Sequence, residues 1–276
     1  MGNCKYCGQP AGFLRKKHKD CEAAYNKGIE KIHGAIESCL SDNRSINDAL
    51  EEVRDIAKNS YISEGEFPTV VKRGWEGAVE HAFEDGVLTE EEEQRLSAMA
   101  EAIGFDKEEL YTNPAYNKLV KGAVIREVLE GKIPERFKVS GALPFNFLKS
   151  ERLVWVFQSA EYYEMRTYRE YVGRSRGFSI RIAKGVYYRT GGFRGRPVET
   201  QKMVHVDTGL LGITNSHIYF SGSKKRFRIK YNKIVSFEPF SNGIGVFRDA
   251  KTAKPQYFLI DDGWFLYNLV TNLARL

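Results

Sequence analysis

The chain has 276 residues, of which 42% are hydrophobic and 28% charged, and its formal net charge is +6. This length predicts two or three modules, and the hydrophobic content excludes a wholly disordered chain. No apolar run approaches the ~20 residues of a membrane-spanning helix, and the polar N-terminus lacks the apolar centre of a signal peptide. We therefore expect a cytoplasmic protein, peripheral to a membrane at most.

Charge is divided unevenly along the chain. Residues 41–110 carry 7 basic and 19 acidic side chains, a net charge of −12, whereas residues 111–276 carry 28 and 13, a net charge of +15. The basic C-terminal part indicates an anionic partner, or pairing with the acidic middle of the chain. An ordinary solvated surface is the alternative interpretation.

Three of the four cysteines lie near the N-terminus with one histidine, in two short pairs. Cys4 and Cys7, followed by Gly8, form one pair, and His18 and Cys21 form the other, in the pattern C-x2-C-x10-H-x2-C. This spacing is typical of zinc knuckles, in which each pair lies on a tight turn and Zn²⁺ joins the two turns. Four ligands leave no open coordination position, so we expect a structural zinc site.

A basic run lies inside this motif. Arg15, Lys16, Lys17 and Lys19 surround His18. Small zinc modules with basic loops often contact phosphates, which makes nucleic-acid binding an alternative function. A solvated loop is the simpler interpretation, because no long basic helix accompanies the run.

Residues 41–140 have the apolar spacing of a small antiparallel helical bundle. Polar caps and apolar periods predict four helices, which begin near Ser45, Phe67, Thr89 and Asp106, the last continuing to Gly131. The segment 84–106, an acidic turn followed by a capped helix, resembles the tellurite-resistance TerB-like helical domain. The resemblance implies a helical module here.

A third module, residues 141–276, begins where Gly141-Ala142-Leu143-Pro144 ends the helical pattern. Apolar and polar residues alternate from Leu153 and again over residues 205–260, which predicts an antiparallel sheet buried on one face. Asn242-Gly243 is the strongest hairpin signal. Asp261-Asp262 then caps a final amphipathic helix.

The phrase Asp207-Thr208-Gly209-Leu210-Leu211-Gly212-Ile213-Thr214-Asn215, followed by Ile218-Tyr219-Phe220-Ser221-Gly222, resembles bacterial PH-like and GRAM-type domains. The likeness extends over residues 145–276. It implies a β-barrel or sandwich of two roughly orthogonal sheets with one end closed by the C-terminal helix. It also implies binding without chemistry, either of phosphate or lipid surfaces or of peptides along a sheet edge.

Two basic segments of this module are candidate contacts for an anion or another partner. In residues 189–197 arginines alternate with glycines, in what we expect to be a loop whose backbone N–H groups and guanidinium forks could clamp phosphate oxygens. Residues 224–226 form a second basic turn. A solvated surface is the alternative for both. The candidate residues are Arg189, Arg194, Arg196, Lys224, Lys225 and Arg226.

Together these patterns predict an α+β chain of three modules: a zinc knuckle with a helix in residues 1–40, an acidic helical bundle in 41–140, and a basic PH-like domain in 141–276. The sequence motifs of serine hydrolases, zinc proteases and P-loop NTPases are absent, so we expect no enzyme and no small-molecule substrate. The leading hypothesis is an adaptor that docks on a protein partner or an anionic surface. A nucleic-acid-binding protein is the alternative.

Overall fold

A computed structural model divides the chain into two compact units, residues 1–132 and residues 133–276. It describes every residue except 1, 14, 43, 85, 137–140, 184–185 and 251–252, and over residues 169–199 it describes the backbone but not the side chains. Among the helices of the described residues, none is both long and apolar enough to cross a membrane. The α+β class is confirmed, and the division at residues 40 and 140 stays a prediction.

Among the described residues of the first unit there are six helices. They are α1 (Lys19–Ser41), α2 (Ile46–Asn59), α3 (Phe67–His81), α4 (Glu90–Ile103), α5 (Lys107–Thr112) and α6 (Pro114–Leu129). Their apolar faces share one core, to which α1 contributes the fully buried Ile32 and Ile36. Trp75 lies at its centre, where its Nε1 donates a hydrogen bond to the carbonyl oxygen of Leu96 at 2.8 Å. The helix that follows the cysteine motif therefore packs with the bundle.

Local sequence sets several of these boundaries. The hydroxyl of Ser45 accepts a hydrogen bond from the backbone N–H of Asp48 at the start of α2. Thr89 and Glu92 form a reciprocal capping box at the start of α4, and Gly104 ends that helix with a φ of +85°. Both helix starts are where the sequence predicted them.

The prediction of one continuous helix from Asp106 to Gly131 is wrong. The chain breaks at Asn113, whose φ of −75° and ψ of 124° are extended, and a new helix starts with Pro114 at its first position. A residue before proline is disfavoured in the helical region. The Asn113 side chain then caps α6 by accepting from the backbone N–H of Ala115 at 2.9 Å.

In the second unit, the described residues form an antiparallel sheet of seven strands followed by one helix. The strands are β1 (Leu153–Ala183), β2 (Val186–Thr214), β3 (His217–Gly222), β4 (Arg226–Lys230), β5 (Ile234–Phe240), β6 (Gly243–Arg248) and β7 (Gln256–Leu259), and the helix is α7 (Gly263–Leu273). The spatial order is β4-β3-β2-β1-β7-β6-β5. Thus β1 joins a meander of four strands to a second meander of three.

One face of this sheet, called the inner face below, carries a cluster of aromatic rings. The Tyr162 ring centroid lies 5.3 Å from that of Phe220, 5.0 Å from that of Phe227 and 5.5 Å from that of Phe258. Phe265 of α7 is also fully buried, with its ring centroid 4.9 Å from that of Trp155. The C-terminal helix therefore covers part of the sheet, as the sequence predicted.

Two local features differ in detail from the sequence prediction. Residues 189–197 belong to the long strand β2, so their backbone is a strand rather than a loop. In the β5–β6 hairpin, Gly243 pairs with Phe240 and so lies in the strand, beyond the turn. Its φ is +155°, and a Cβ atom at this position would lie 2.0 Å from the carbonyl oxygen of Phe258. Close backbone approach therefore requires glycine there.

Candidate functional site

The four residues of the cysteine motif come together in a cluster that could hold a metal ion such as zinc. One ligand atom from each of Cys4, Cys7, His18 and Cys21 lies within 4.8 Å of all the others. Within the part of the chain that the structure describes, this is the one group of three or more His, Cys, Asp or Glu side chains with that property.

Backbone turns hold the first pair of ligands. The N–H of Gly8 donates to the carbonyl oxygen of Cys4 at 2.9 Å, and Gly8 takes a φ of +74°, which glycine adopts easily. The N–H of Cys4 donates to the carbonyl oxygen of Gln9 at 2.7 Å. These bonds close a tight turn, and the side chains of Cys4 and Cys7 lie on the same side of it.

The second pair lies at the start of α1, with His18 as the residue that precedes the helix and Cys21 in its first turn. Nδ1 of His18 lies 3.3 Å from Sγ of Cys7 and 3.7 Å from Sγ of Cys21. Nε2 of His18 lies 3.0 Å from the carbonyl oxygen of Pro10, which favours protonation of Nε2 and leaves Nδ1 free to bind a metal.

The dimensions and the donor set both fit zinc. A tetrahedral site with Zn–S bonds of about 2.3 Å and a Zn–N bond of about 2.0 Å separates sulfur from nitrogen by about 3.5 Å. The two separations measured from Nδ1 of His18 bracket that value. Three thiolates and one imidazole are ligands that zinc prefers, and they fill all four positions.

The thiols differ in how readily they ionise. Burial raises the pKa of Cys4, but the backbone N–H groups of Cys7, His18 and Tyr6 outweigh it and lower that pKa to about 6. Burial, followed by the neighbouring thiols, raises the pKa of Cys21 to about 11. Several thiolates so close together repel one another, and a bound divalent cation would compensate their charge.

The basic turn of residues 224–226 is held by a buried carboxylate that sequence analysis did not assign to it. Oδ2 of Asp207 accepts hydrogen bonds from the backbone N–H groups of Lys224 at 2.6 Å and Lys225 at 2.7 Å, and Oδ1 accepts one from the hydroxyl of Ser223 at 3.1 Å. Burial raises the pKa of Asp207, but these donors lower it to about 2. The turn therefore has a fixed backbone conformation.

Three cations project from this turn. Lys224, Lys225 and Arg226 are exposed, and none forms an ion pair with a carboxylate among the described residues. The side chains of the other predicted contacts, Arg189, Arg194 and Arg196, lie outside the described part of the structure. Backbone register pairs Arg189 with Ser179, Arg194 with Arg174 and Arg196 with Val172, all in β1.

A second buried carboxylate, Glu151, was also missed. Its side chain is 1% exposed, and its Oε1 lies 2.5 Å from Nδ1 of His217. Oε2 accepts from the hydroxyl of Tyr219 at 2.5 Å and from the backbone N–H of Leu148 at 2.7 Å. Because His217 is 66 residues away along the chain, no short motif could have revealed this network.

Comparison with known proteins gives no relative from which a function could be transferred. No protein-family model matches the chain, and no curated protein is significantly similar to it. The PH-like, GRAM-type and TerB-like resemblances therefore remain predictions. The fold, the four-residue cluster and the basic turn are the features on which a functional proposal can rest.

Proposed function

We propose that this chain is a non-enzymatic binding protein with two tasks divided between its units. A structural zinc ion held by Cys4, Cys7, His18 and Cys21 stabilises the N-terminal unit. The C-terminal unit, a PH-like module, docks on an anionic, phosphate-bearing surface. The seven-stranded antiparallel sheet and its C-terminal helix are compatible with that assignment.

The observation that carries the proposal is the basic turn held by Asp207. Two backbone N–H groups bound to one buried carboxylate fix the backbone from which three exposed cations project at one end of the sheet. A turn whose backbone is already held loses less conformational freedom on binding than a mobile loop, so its cations bind an anionic surface more tightly. A solvated basic loop needs no such anchor.

Sedimentation with lipid vesicles tests the proposal. We expect the full chain to bind phosphatidylcholine vesicles that contain about 30% phosphatidylserine, and to be released as salt rises from about 50 to about 500 mM. The triple variant Lys224→Ala, Lys225→Ala and Arg226→Ala should bind about 100-fold more weakly, because each cation near an anionic membrane contributes about 1 kcal/mol.

The matched control removes the same charge from other exposed positions of the same unit. Lys149→Ala, Lys230→Ala and Lys233→Ala together leave the turn intact. This variant should keep most of the affinity. If both triple variants lost equal affinity for the vesicles, net charge alone would drive binding. If the unmodified chain did not bind the vesicles at all, the proposal would be refuted.

A second candidate function is nucleic-acid binding by the cysteine motif, and one observation favours it. Phe13 is 82% exposed, the highest value among the exposed large hydrophobic residues described, and it lies between Gly12 and the exposed Arg15 and Lys16. An exposed ring beside cations can stack on an unpaired base while the cations contact phosphates. A gel shift with single-stranded oligonucleotide at about 50 mM salt tests this; Phe13→Ala should abolish the shift.

A further inference from the structure

The two longest strands, β1 and β2, continue together beyond the rest of the sheet. On one side β7 pairs with β1 only over residues 161–164, where the inner face carries Tyr162, and on the other side β3 pairs with β2 only over residues 209–213. Residues 165–183 and 186–203, called the ribbon below, pair with each other. Among the described residues no third strand joins the ribbon, so the backbone N–H groups along its two edges are left for other partners.

The register of the ribbon opposes its own stability. A two-stranded ribbon without a third strand is marginally stable in water. Here Arg174 lies directly opposite Arg194, and Arg166 lies opposite Lys202. Like charges at such positions destabilise the pairing. Two further positions pair glycine with glycine, which leaves no side chain to pack on either strand. The ribbon therefore gains stability from any ligand that neutralises its charge.

Charge is spread along the whole length of the ribbon. Residues 166–202 carry ten basic and two acidic side chains, a net charge of +8, and five of the basic residues lie in β1 and four in β2. Arg166 and Lys202 are exposed, and neither forms an ion pair with a carboxylate among the described residues. Eight of the ten are arginines, which bind phosphate oxygens through two parallel N–H groups. This distribution matches a long polyanion that carries phosphates.

The dimensions of the ribbon favour a DNA duplex among such polyanions. Arg166 and Arg181 lie 15 residues apart in β1, which at about 3.3 Å per residue is about 50 Å, or about one and a half turns of B-form DNA. The major groove of B-form DNA, about 12 Å wide, admits a two-stranded ribbon, whereas that of A-form RNA is too narrow. Phosphates line both sides of the groove, and glycine in a strand allows them to approach the backbone.

We propose that the ribbon binds double-stranded DNA by lying in its major groove, with its arginines on the flanking phosphates. Contacts to phosphates carry little sequence information, so the ribbon binds DNA of any sequence. Arg189, Arg194 and Arg196 thereby contact a ligand different from the one assigned to the basic turn. The inference goes beyond the proposed function, because it concerns other residues and another class of ligand.

Fluorescence anisotropy of a labelled duplex of about 30 base pairs, titrated with the full chain, tests the inference. We expect binding at about 50 mM salt and a loss of affinity of at least about 1,000-fold at about 200 mM, as for six or more phosphate contacts. An RNA duplex of the same sequence should bind at least about tenfold more weakly. Equal binding of the two duplexes would overturn the placement in the major groove.

A triple variant and a matched control locate the binding site. Arg174→Gln, Arg176→Gln and Arg194→Gln together should weaken DNA binding at least about 100-fold at about 100 mM salt, and should lower the slope of log affinity against log salt by about three. The control, Lys149→Gln, Lys230→Gln and Lys233→Gln, removes equal charge from exposed positions outside the ribbon and should keep most of the affinity and the slope. Equal losses in the two variants would overturn the inference.

Hydrogen exchange distinguishes lost binding from a lost ribbon. The triple variant separates two opposed arginines, so without DNA its ribbon amides should exchange no faster than those of the unmodified chain. DNA should slow exchange over residues 166–181 in the unmodified chain and in the control but not in the triple variant. DNA binding that leaves exchange in these residues unchanged would refute a role for the ribbon.

The inference and the proposed function can fail separately. The variant Lys224→Ala, Lys225→Ala and Arg226→Ala should lose vesicle binding but keep most of its affinity for the duplex. If it loses as much DNA affinity as the ribbon variant, the ribbon is not the DNA site. If the unmodified chain binds vesicles but no duplex at about 50 mM salt, the inference is refuted and docking through the basic turn stands.

Discussion

Removal of the Glu151 carboxylate should destabilise the second unit more than any exposed charge change. Glu151 lies just before β1, and its oxygens accept hydrogen bonds from side chains of the end of β2, the β2–β3 connection and β3, among them Thr214 at 3.2 Å and Ser216 at 3.0 Å. Since the side chains of Glu151 and His217 are only 1% and 7% exposed, water cannot replace the lost partner. Removing one member of a buried pair costs about 3–5 kcal/mol.

We therefore expect Glu151→Ala to lower the free energy of unfolding by about 3–5 kcal/mol, and Glu151→Gln by about 1–3 kcal/mol, since the amide keeps the shape but turns one acceptor into a donor. Urea unfolding followed by tryptophan fluorescence measures this, because Trp155 and Trp264 report on this unit. The control, Glu135→Gln, removes an exposed ion pair with Arg152 and should cost no more than about 1 kcal/mol.

The pH dependence of stability follows from the direction in which the pKa of Glu151 is shifted. Burial opposes ionisation of Glu151, but hydrogen bonds from Tyr219, Leu148 and Ser216 and the nearby His217 lower its pKa below 4.5. The ionised carboxylate therefore stabilises the fold fully above about pH 4.5, and this contribution is lost as pH falls through the lower folded-state pKa. A stability difference between Glu151→Gln and the unmodified chain that stays constant down to pH 2, or that is under about 1 kcal/mol at pH 7, would refute the reasoning.

The remaining predictions concern the metal, the basic turn and the hairpin. Mass spectrometry of the purified chain should find one zinc per molecule, and Cys7→Ser should lower this below about half an equivalent while Cys39→Ser, outside the cluster, keeps it. Asp207→Asn should lower the melting temperature at pH 7 but have little effect near pH 2, because the stability from its lowered pKa is present above pH 3.8 and lost as pH falls through about 2. Gly243→Ala should destabilise the β5–β6 hairpin by at least about 1–3 kcal/mol in urea unfolding, since its Cβ would overlap the carbonyl oxygen of Phe258; an unchanged midpoint would contradict the close approach.

The features that sequence predicted well are those encoded over a few neighbouring residues. The ligand cluster follows from two short pairs, and the start of α4 follows from a Thr and a Glu three residues apart. The break at Asn113 could have been predicted too, because Asn-Pro is both a cap and a helix-start signal. Glycine and arginine in residues 189–197 indicated a loop, but pairing with β1 overrides that local preference.

The groups that shape the second unit could not be predicted, because they depend on strand register. Glu151 and His217 lie 66 residues apart, and Gln256 and Tyr162 lie 94 residues apart. A shift of one residue in either pairing would place these side chains on the other face of the sheet. The alternation of apolar and polar residues shows that a strand has a buried face. It does not show which polar residues from distant parts of the chain contact each other on that face.

The account depends on the claim that this chain docks on an anionic surface through the basic turn that Asp207 holds. The most direct measurement is an amide NMR titration of the full chain with a short-chain, water-soluble phosphatidylserine, with the matching phosphatidylcholine as the reference. We predict saturable shifts for the amides of Lys224, Lys225 and Arg226, larger with the anionic lipid than with the reference. Shifts confined to residues outside the basic turn, or none at all, would contradict the claim.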